Sequence, residues 1–155
     1  MNYKKPSLTV DALVYRKVKN EIHVLVIRRS KKSLAFPGCL ATCGGFIDYG
    51  EAPEVAVLRE LVEETGLVGK EKVELVTVKG KPDRDPRGHT ISIVYHVELE
   101  DNEQIPQAGD DAIEAFFINL LEILQGKHKL AFDHLEIYQE YYQFLLKKGL
   151  IEELL

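Results

Sequence analysis

Residues 45–67 read GFIDYGEAPEVAVLRELVEETGL, and the second half of this stretch carries the signals of an α-helix. Pro53 suits a first helical turn, which does not need its missing N–H, and Gly66 suits the left-handed residue after a last turn. Between them, apolar side chains recur at helical spacing: Val55, Leu58 and Val62. We therefore predict a helix over 53–65 and expect its apolar stripe to face the core.

Three glutamates share another side of this predicted helix. Glu60, Glu63 and Glu64 stand at i, i+3 and i+4, which places their carboxylates in one sector of the helix. Like charges at these spacings destabilise an isolated helix by up to about 0.5 kcal/mol per pair. Such a run is usually a solvated surface, but divalent cations would also relieve the repulsion. Mg²⁺ and Mn²⁺ are the candidates, because they prefer oxygen ligands. Since the apolar stripe is expected to face the core, we expect the carboxylates to face a cleft or solvent.

The surroundings of the glutamates favour a binding site over a solvated surface. Arg59 can pair with a neighbouring glutamate, with Glu51 as the candidate, although a surface ion pair alone contributes little. Gly45 leaves the backbone without a Cβ where chain and ligand approach closely, although glycine is also an ordinary turn residue. The fixed spacing between these residues and the glutamates makes the functional interpretation the stronger one.

The complete pattern is Gly, five residues, Glu, seven residues, Arg-Glu, an aliphatic residue, one residue, Glu-Glu, one residue, Gly and an aliphatic residue. Residues 45–67 match it at every fixed position, and in this they resemble the Nudix box. The resemblance implies a hydrolase of a nucleoside diphosphate linked to a further group, with Mg²⁺ or Mn²⁺ as cofactor. It implies metal ligands at the Gly45 carbonyl and at the carboxylates of Glu60, Glu63 and Glu64. The resemblance also implies catalytic roles for Arg59, Glu60 and Glu63.

The resemblance leaves the general base open, because Nudix hydrolases use either a box glutamate or an acid from a loop outside the box. Within the box, Glu60 is the candidate, since it lies one turn before the other two glutamates. Outside the box, Asp111 and Glu114 stand in and just after a polar loop that precedes a predicted strand. A solvated loop carboxylate explains either of these two about as well.

A second segment points to a substrate. Residues 81–92, KPDRDPRGHTIS, resemble a loop and strand of ADP-ribose pyrophosphatases, including a proline matched by Pro82. The segment supplies donors for phosphate or ribose oxygens: Arg84, Arg87 and His89. Arg28, at the end of an early predicted strand, is a further candidate for holding the anionic substrate. The alternative is a charged surface loop, but the resemblance implies cleavage of ADP-ribose to AMP and ribose 5-phosphate.

Two other functions stay open. A Nudix hydrolase of an oxidised nucleoside triphosphate or a dinucleoside polyphosphate would carry the same box. A non-catalytic ADP-ribose-sensing domain, related to bacterial regulators of nicotinamide metabolism, would carry a similar 81–92 segment. Those regulators add a winged helix-turn-helix domain, and we expect the roughly thirty residues after Gly126 to form mostly one helix, without room for it.

The pattern of elements predicts an α+β fold. Residues 8–15 and 22–27 have the alternation of two strands and are expected to form a hairpin, and further strands follow the box helix. A last helix is predicted at about 132–148. A chain of 155 residues has the size of one domain, so we expect a single Nudix domain over 1–155. Its architecture should be an α/β/α sandwich with a mixed central sheet, the box helix and the C-terminal helix.

Composition limits the partners. A net charge of −5 provides no general positive field for nucleic acid or an anionic membrane. The resemblance to the Nudix box implies a small-molecule nucleotide as the partner. Without a signal-peptide pattern or a spanning apolar run, the expected location is cytoplasmic. Cys39 and Cys43 should be buried, reduced thiols. The aromatic and aliphatic residues of the last segment exceed what one helix must bury, which suggests a homodimer.

Overall fold

The computed structural model describes residues 3–109 and 112–155. Within them, eight strands and three helices follow one another along the chain. The elements before the 81–92 segment are β1 (Ser7–Leu13), β2 (Tyr15–Val18), β3 (Glu21–Arg29), β4 (Leu40–Ala41), β5 (Cys43–Phe46), α1 (Pro53–Thr65) and β6 (Glu74–Lys79). Those that follow are β7 (Thr90–His96), β8 (Ala112–Asn119), α2 (Leu120–Leu124) and α3 (His134–Lys147).

The strands form two sheets of four strands each. The first has the order β5-β1-β7-β6, and the second contains β2, β3 and β4, with β8 also paired to β3. Strands β1 and β7 run parallel, and the other pairs are antiparallel, so the predicted mixed β structure is confirmed. The expected hairpin between the first two strands is wrong. Strand β3 pairs with β2 instead, because β1 finds long-range partners in β5 and β7.

Helices cover opposite faces of the strands. Alternate residues of β3 point to different clusters, since Leu25 belongs to the cluster that contains Leu61 of α1 and Val26 to the cluster that contains Tyr138 of α3. This arrangement is the predicted α/β/α sandwich. In the described part of the chain, no helix is long and apolar enough to span a membrane.

The predicted helix over 53–65 is confirmed, but the prediction of its buried side is wrong. Val55 and Val62 are 59% and 49% exposed, whereas six other residues are buried: Ala56, Val57, Glu60, Leu61, Glu64 and Thr65. The helix is therefore rotated so that two carboxylates face β5. Because glycine has no side chain, Gly44 and Gly45 of that strand leave room for the carboxylates of Glu64 and Glu60.

The last segment packs on its own domain. Three tyrosines of α3 are buried there: Tyr138, Tyr141 and Tyr142. The hydroxyl of Tyr138 donates to the carbonyl of Leu25 at 2.8 Å, and His96 shares a 2.7 Å hydrogen bond with Tyr141. The aromatic surplus expected for a homodimer is thus absorbed within the chain, although Leu155 is exposed. Cys39 and Cys43 are buried and free, as expected.

Candidate active site

A cavity of about 930 Å³ opens beside α1. Its acidic residues come from β1, which contributes Asp11, and from α1, which contributes Glu60, Glu63 and Glu64. Its basic side is formed by loops and strand ends that contribute Arg29, Lys32, Arg84 and Arg87. The volume lies within the range of about 300–1,000 Å³ that is usual for sites of small ligands. A cavity with opposite charges on two sides suits a ligand that is anionic and bound together with cations.

Two glycines of β5 fix the box carboxylates. The backbone N–H of Gly44 donates to Oε1 of Glu64 at 2.7 Å. The Glu60 carboxylate packs directly on Gly45, where any Cβ would overlap it. Only glycine at position 45 allows the Glu60 carboxylate to approach the backbone of β5 this closely. The fixed order of the two residues in the motif thus corresponds to a direct contact in the structure.

The Glu64 carboxyl group is difficult to ionise. Burial raises its pKa to about 7, and the charges of Glu60 and Asp11 add to this effect, while the hydrogen bond from Gly44 opposes it. A bound cation would favour the ionised form. The group is therefore suited to bind a cation and costly to keep charged without one.

Arg59 is the counter-ion of the acidic face. Its guanidinium forms a bidentate pair with Glu51 at 2.6 and 2.8 Å, which confirms the predicted pairing. The same group donates to Glu60 at 2.8 Å and to Glu63 at 3.0 Å. The hydrogen bonds from Arg59 lower the pKa of Glu51 to about 2, and the carboxylates raise the pKa of Arg59. The Arg59 side chain thus fixes the positions of three carboxylates relative to one another.

The donor set of this face fits a hard divalent cation, because it consists of carboxylate oxygens and backbone carbonyls. Asp11 supports this fit: its Oδ2 is buried and has no hydrogen-bond partner among the described residues. In the same part of the chain, no three acidic, histidine or cysteine side chains are placed so that they could hold a metal ion without moving. The Arg59 guanidinium occupies the space between the glutamates, so binding of a cation requires their carboxylates to turn.

The basic side is built around an aromatic ring. The guanidinium groups of Arg29 and Arg87 lie 5.0 and 5.4 Å from the centre of the Phe132 ring. Arg29 donates to the carbonyl of Ala35 at 3.1 Å, and Arg87 pairs with Asp85 at 2.9 Å. Arg87 keeps part of its surface exposed and faces the cavity, where it is available to an anionic ligand.

Arg84 has a structural role in addition to the predicted one. Its guanidinium is almost fully buried and binds both carboxylate oxygens of Asp133, at 2.7 and 2.9 Å. It also donates to Oγ of Ser92 at 2.8 Å. Because these donors are engaged within the protein, Arg84 ties the 81–92 segment to the start of α3. Direct contact of Arg84 with a substrate stays a prediction.

Three other predicted site residues lie outside the cavity lining. Arg28 and Glu114 form a cross-strand pair at 2.6 Å, and neither residue lines the cavity. His89 shares a 2.9 Å hydrogen bond with the carbonyl of Gly80, also outside the cavity lining. Asp111 lies outside the described residues. The preceding loop is fixed to the end of α1, where the N–H of Gly109 donates to the carbonyl of Glu64 at 2.9 Å.

Sequence reasoning missed the polar residues that line the cavity from the strands. Asp11, Thr42 and Ser92 are buried there, and Asp11 accepts a hydrogen bond from the Thr42 hydroxyl at 2.6 Å. The available signal was an aspartate at a buried position of an otherwise apolar strand, since such groups are rarely buried without a partner or a function.

The fold and the acidic cavity define a class of protein, and comparison with known proteins agrees with it. The model of the NUDIX domain family matches residues 5–141, and the chain belongs to this family. It is 45% identical over 139 residues to a protein of Methanocaldococcus jannaschii named ADP-ribose pyrophosphatase. This similarity covers 90% of the chain and 75% of the relative.

Solved structures show the same fold. A MutT/nudix family protein from Enterococcus faecalis superimposes with a TM-score of 0.82 at 33% identity. That comparison covers 95% of this chain, which spans only 64% of the Enterococcus chain. The NUDIX domain of Shewanella oneidensis NrtR, solved in complex with ADP ribose, superimposes with a TM-score of 0.81 at 31% identity. Here 92% of this chain and 90% of the other are covered.

Proposed function

We propose that this protein hydrolyses the pyrophosphate of ADP-ribose to give AMP and ribose 5-phosphate. The observation that carries the proposal is the cavity itself, in which a basic side with Arg29 and Arg87 faces the box carboxylates. A diphosphate needs cations on both flanks, which the arginines provide on one side and bound metal on the other. The 45% identity to an enzyme named ADP-ribose pyrophosphatase supports the choice of substrate.

The cofactor in this proposal is Mg²⁺ or Mn²⁺. Its ligands would be the carboxylates of Glu60, Glu63 and Glu64, with the carbonyl of Gly45. When bound, the metal neutralises the charge that builds up on the phosphoryl oxygens and lowers the pKa of water. Arg59 would then hold Glu51 and keep the glutamates at their positions on the helix.

In the reaction, the oxygen of one water molecule forms a bond to a phosphorus atom, and the bond between that phosphorus and the bridging oxygen breaks. The two phosphates leave as AMP and ribose 5-phosphate, while the water proton passes to a general base. Glu60 is the candidate that lies in the cavity. Asp111 stays a candidate as well, and Glu114 would first have to leave its pair with Arg28.

The experiment is a hydrolysis screen of ADP-ribose against NADH, diadenosine polyphosphates and oxidised nucleoside triphosphates, with and without Mg²⁺ or Mn²⁺. We expect the highest kcat/KM for ADP-ribose and no turnover without metal. Glu63→Gln and Glu64→Gln should lose orders of magnitude in kcat, whereas Glu71→Gln, an exposed acid outside the box, should not. A higher kcat/KM for another nucleotide would change the substrate class. Binding of ADP-ribose without turnover would indicate a sensing domain.

We further propose that the protein acts in the cytoplasm as one domain over 1–155 and binds neither nucleic acid nor membrane. Its net charge of −5 supports the last two points. The homodimer stays a prediction, now without the support of the buried aromatic residues of α3. Light scattering at tens of micromolar decides it, because a single species near 17.6 kDa contradicts a dimer.

A further inference from the structure

His134 is a buried histidine at the wall of the cavity, and neither the box nor the 81–92 segment accounts for it. It is the first residue of α3 and 7% exposed. Its backbone N–H donates to the carbonyl of Ala131 at 3.0 Å, which fixes the start of the helix. The side chain lines the same cavity as the box glutamates.

The two ring nitrogens of His134 have different surroundings. The backbone N–H of Thr42 donates to Nδ1 at 3.1 Å, so Nδ1 must offer its lone pair and cannot carry a proton. In the neutral ring the proton is therefore on Nε2. No described residue accepts a hydrogen bond from Nε2, and this nitrogen is not among the atoms sealed from solvent.

The environment keeps the ring neutral. Burial lowers the pKa of His134, and the positive charges of Arg84 and Arg29 act in the same direction, while Asp11 and Asp133 oppose them. The side chain thus presents one fixed N–H donor to the cavity without a charge. Phosphate oxygens form stronger hydrogen bonds with charged arginines than with a neutral N–H donor. The Nε2–H of His134 is therefore better matched to a neutral oxygen of the ligand.

We propose that His134 is a substrate-binding residue whose Nε2–H donates a hydrogen bond to a ribose hydroxyl of the substrate. This inference rests on the proposed function and adds a specificity contact to it. The diphosphate is held by the charged sides of the cavity, and the sugar hydroxyls are the neutral oxygens nearest to it in the substrate. The lining near His134 combines the polar Thr42 with the ring of Phe132, whose centre is 5.3 Å from that of His134, and such a surface can hold a sugar by hydrogen bonds and packing.

Two variants separate this role from a structural one. In His134→Asn, the side-chain oxygen takes the place of Nδ1 and still accepts from Thr42, but the shorter side chain leaves no donor at the position of Nε2. In His134→Gln, the amide nitrogen takes the place of Nε2, but Thr42 loses its acceptor. Both variants lose the ring, so most of the lost packing is common to them, and the extra methylene of glutamine favours the stability of His134→Gln.

The experiment measures KM and kcat for ADP-ribose with Mg²⁺, and Tm, for both variants and the wild type. We expect KM of His134→Asn to exceed that of His134→Gln by roughly three- to tenfold, as one hydrogen bond to a ligand provides. The Tm of His134→Gln should be the lower of the two, because the N–H of Thr42 loses its acceptor in that variant. Equal KM values in the two variants, or KM changes that follow the loss of Tm, would overturn the proposal.

Calorimetry with AMP and ribose 5-phosphate identifies which sugar is bound and keeps the two proposals apart. Weaker binding of one of them to His134→Asn than to His134→Gln assigns the contact to that ribose. Unchanged binding of both, or no binding to the wild type, contradicts the role of His134. A wild type that binds either compound but does not hydrolyse ADP-ribose contradicts the proposed function alone.

Discussion

Arg84 and Asp133 form a bidentate ion pair between residues 49 positions apart, in which the Arg84 side chain is 5% and that of Asp133 16% exposed. The pair joins the 81–92 segment to the start of α3, next to His134. A buried charge that loses its partner costs several kcal/mol, whereas loss of both charges costs little if the volume is kept.

We therefore predict that Asp133→Asn lowers the free energy of unfolding by about 3 kcal/mol. The double variant Arg84→Met/Asp133→Leu should recover much of this loss, because no unpaired charge remains. Urea unfolding of the two proteins and the wild type measures the effect. If Asp133→Asn were as stable as the wild type, Arg84 would not need this charged partner, and the prediction would be wrong.

Gly44 and Gly45, the two glycines of β5, should respond differently to an added methyl group. A Cβ at Gly44 meets the backbone carbonyl of Val10, which cannot move alone, so Gly44→Ala should cost about 1–3 kcal/mol of stability. A Cβ at Gly45 meets the Glu60 carboxylate, which can turn away. Gly45→Ala should therefore lower kcat more than Tm.

Gly80→Ala is the matched control for both variants, since a Cβ there meets Ile91 at an ordinary 3.6 Å. Thermal unfolding and the ADP-ribose assay with Mg²⁺ give the comparison. Equal losses of Tm in Gly44→Ala and Gly45→Ala would contradict the distinction.

The stability of the metal-free protein should depend on Glu64. Burial raises the pKa of this carboxyl from 4.5 to about 7, so the folded state holds a proton that the unfolded state releases between these values. Stability is therefore lost as pH rises from about 4.5 through 7, by at most roughly 3 kcal/mol from this group. Glu64→Gln should remove that part of the pH dependence.

Chemical unfolding in the presence of a chelator, from pH 4.5 to 8, tests this prediction by the difference between wild type and Glu64→Gln. The difference is informative because groups distant from Glu64 contribute equally to both proteins and cancel. A constant difference over the whole range would show that Glu64 is ionised in the folded protein at all these pH values.

The general base should be found among three acids. We expect one of Glu60→Gln, Asp111→Asn or Glu114→Gln to lose at least about a hundredfold in kcat while metal binding is retained. Steady-state kinetics and Mn²⁺ titration of each variant measure the two properties. Arg28→Gln is the control for Glu114, because it breaks the same pair without removing the acid. If all three keep most of their kcat, the base lies elsewhere.

The helix over 53–65 could be predicted from the sequence because its signals are local: Pro53 at the first turn and Gly66, with φ +73°, after the last. The side that it buries could not, because the burial of Glu60 and Glu64 involves contacts with Gly45 and Gly44, and such contacts are not visible in helical periodicity. Local spacing thus predicts an element but not the partner against which it packs.

The candidate site follows the same division. The box glutamates and Arg59 could be found because one short segment contains them all. Asp11, Thr42 and His134 come from three separate segments, and only pairing between distant strands brings them to one wall. Arg28 and Glu114 illustrate the converse, since residues 86 positions apart meet across β3 and β8 and satisfy each other outside the cavity.

The contacts of Arg59 with three glutamates have a consequence for the order of events in the cell. In many small metalloproteins the chain stays unfolded until the ion arrives, because nothing else balances the ligands. Here an internal cation already accompanies the acidic helix. If the protein binds metal as proposed, folding is therefore expected to be separable from metal binding, so that a chain folds before the ion arrives and gives up a guanidinium contact when the ion binds.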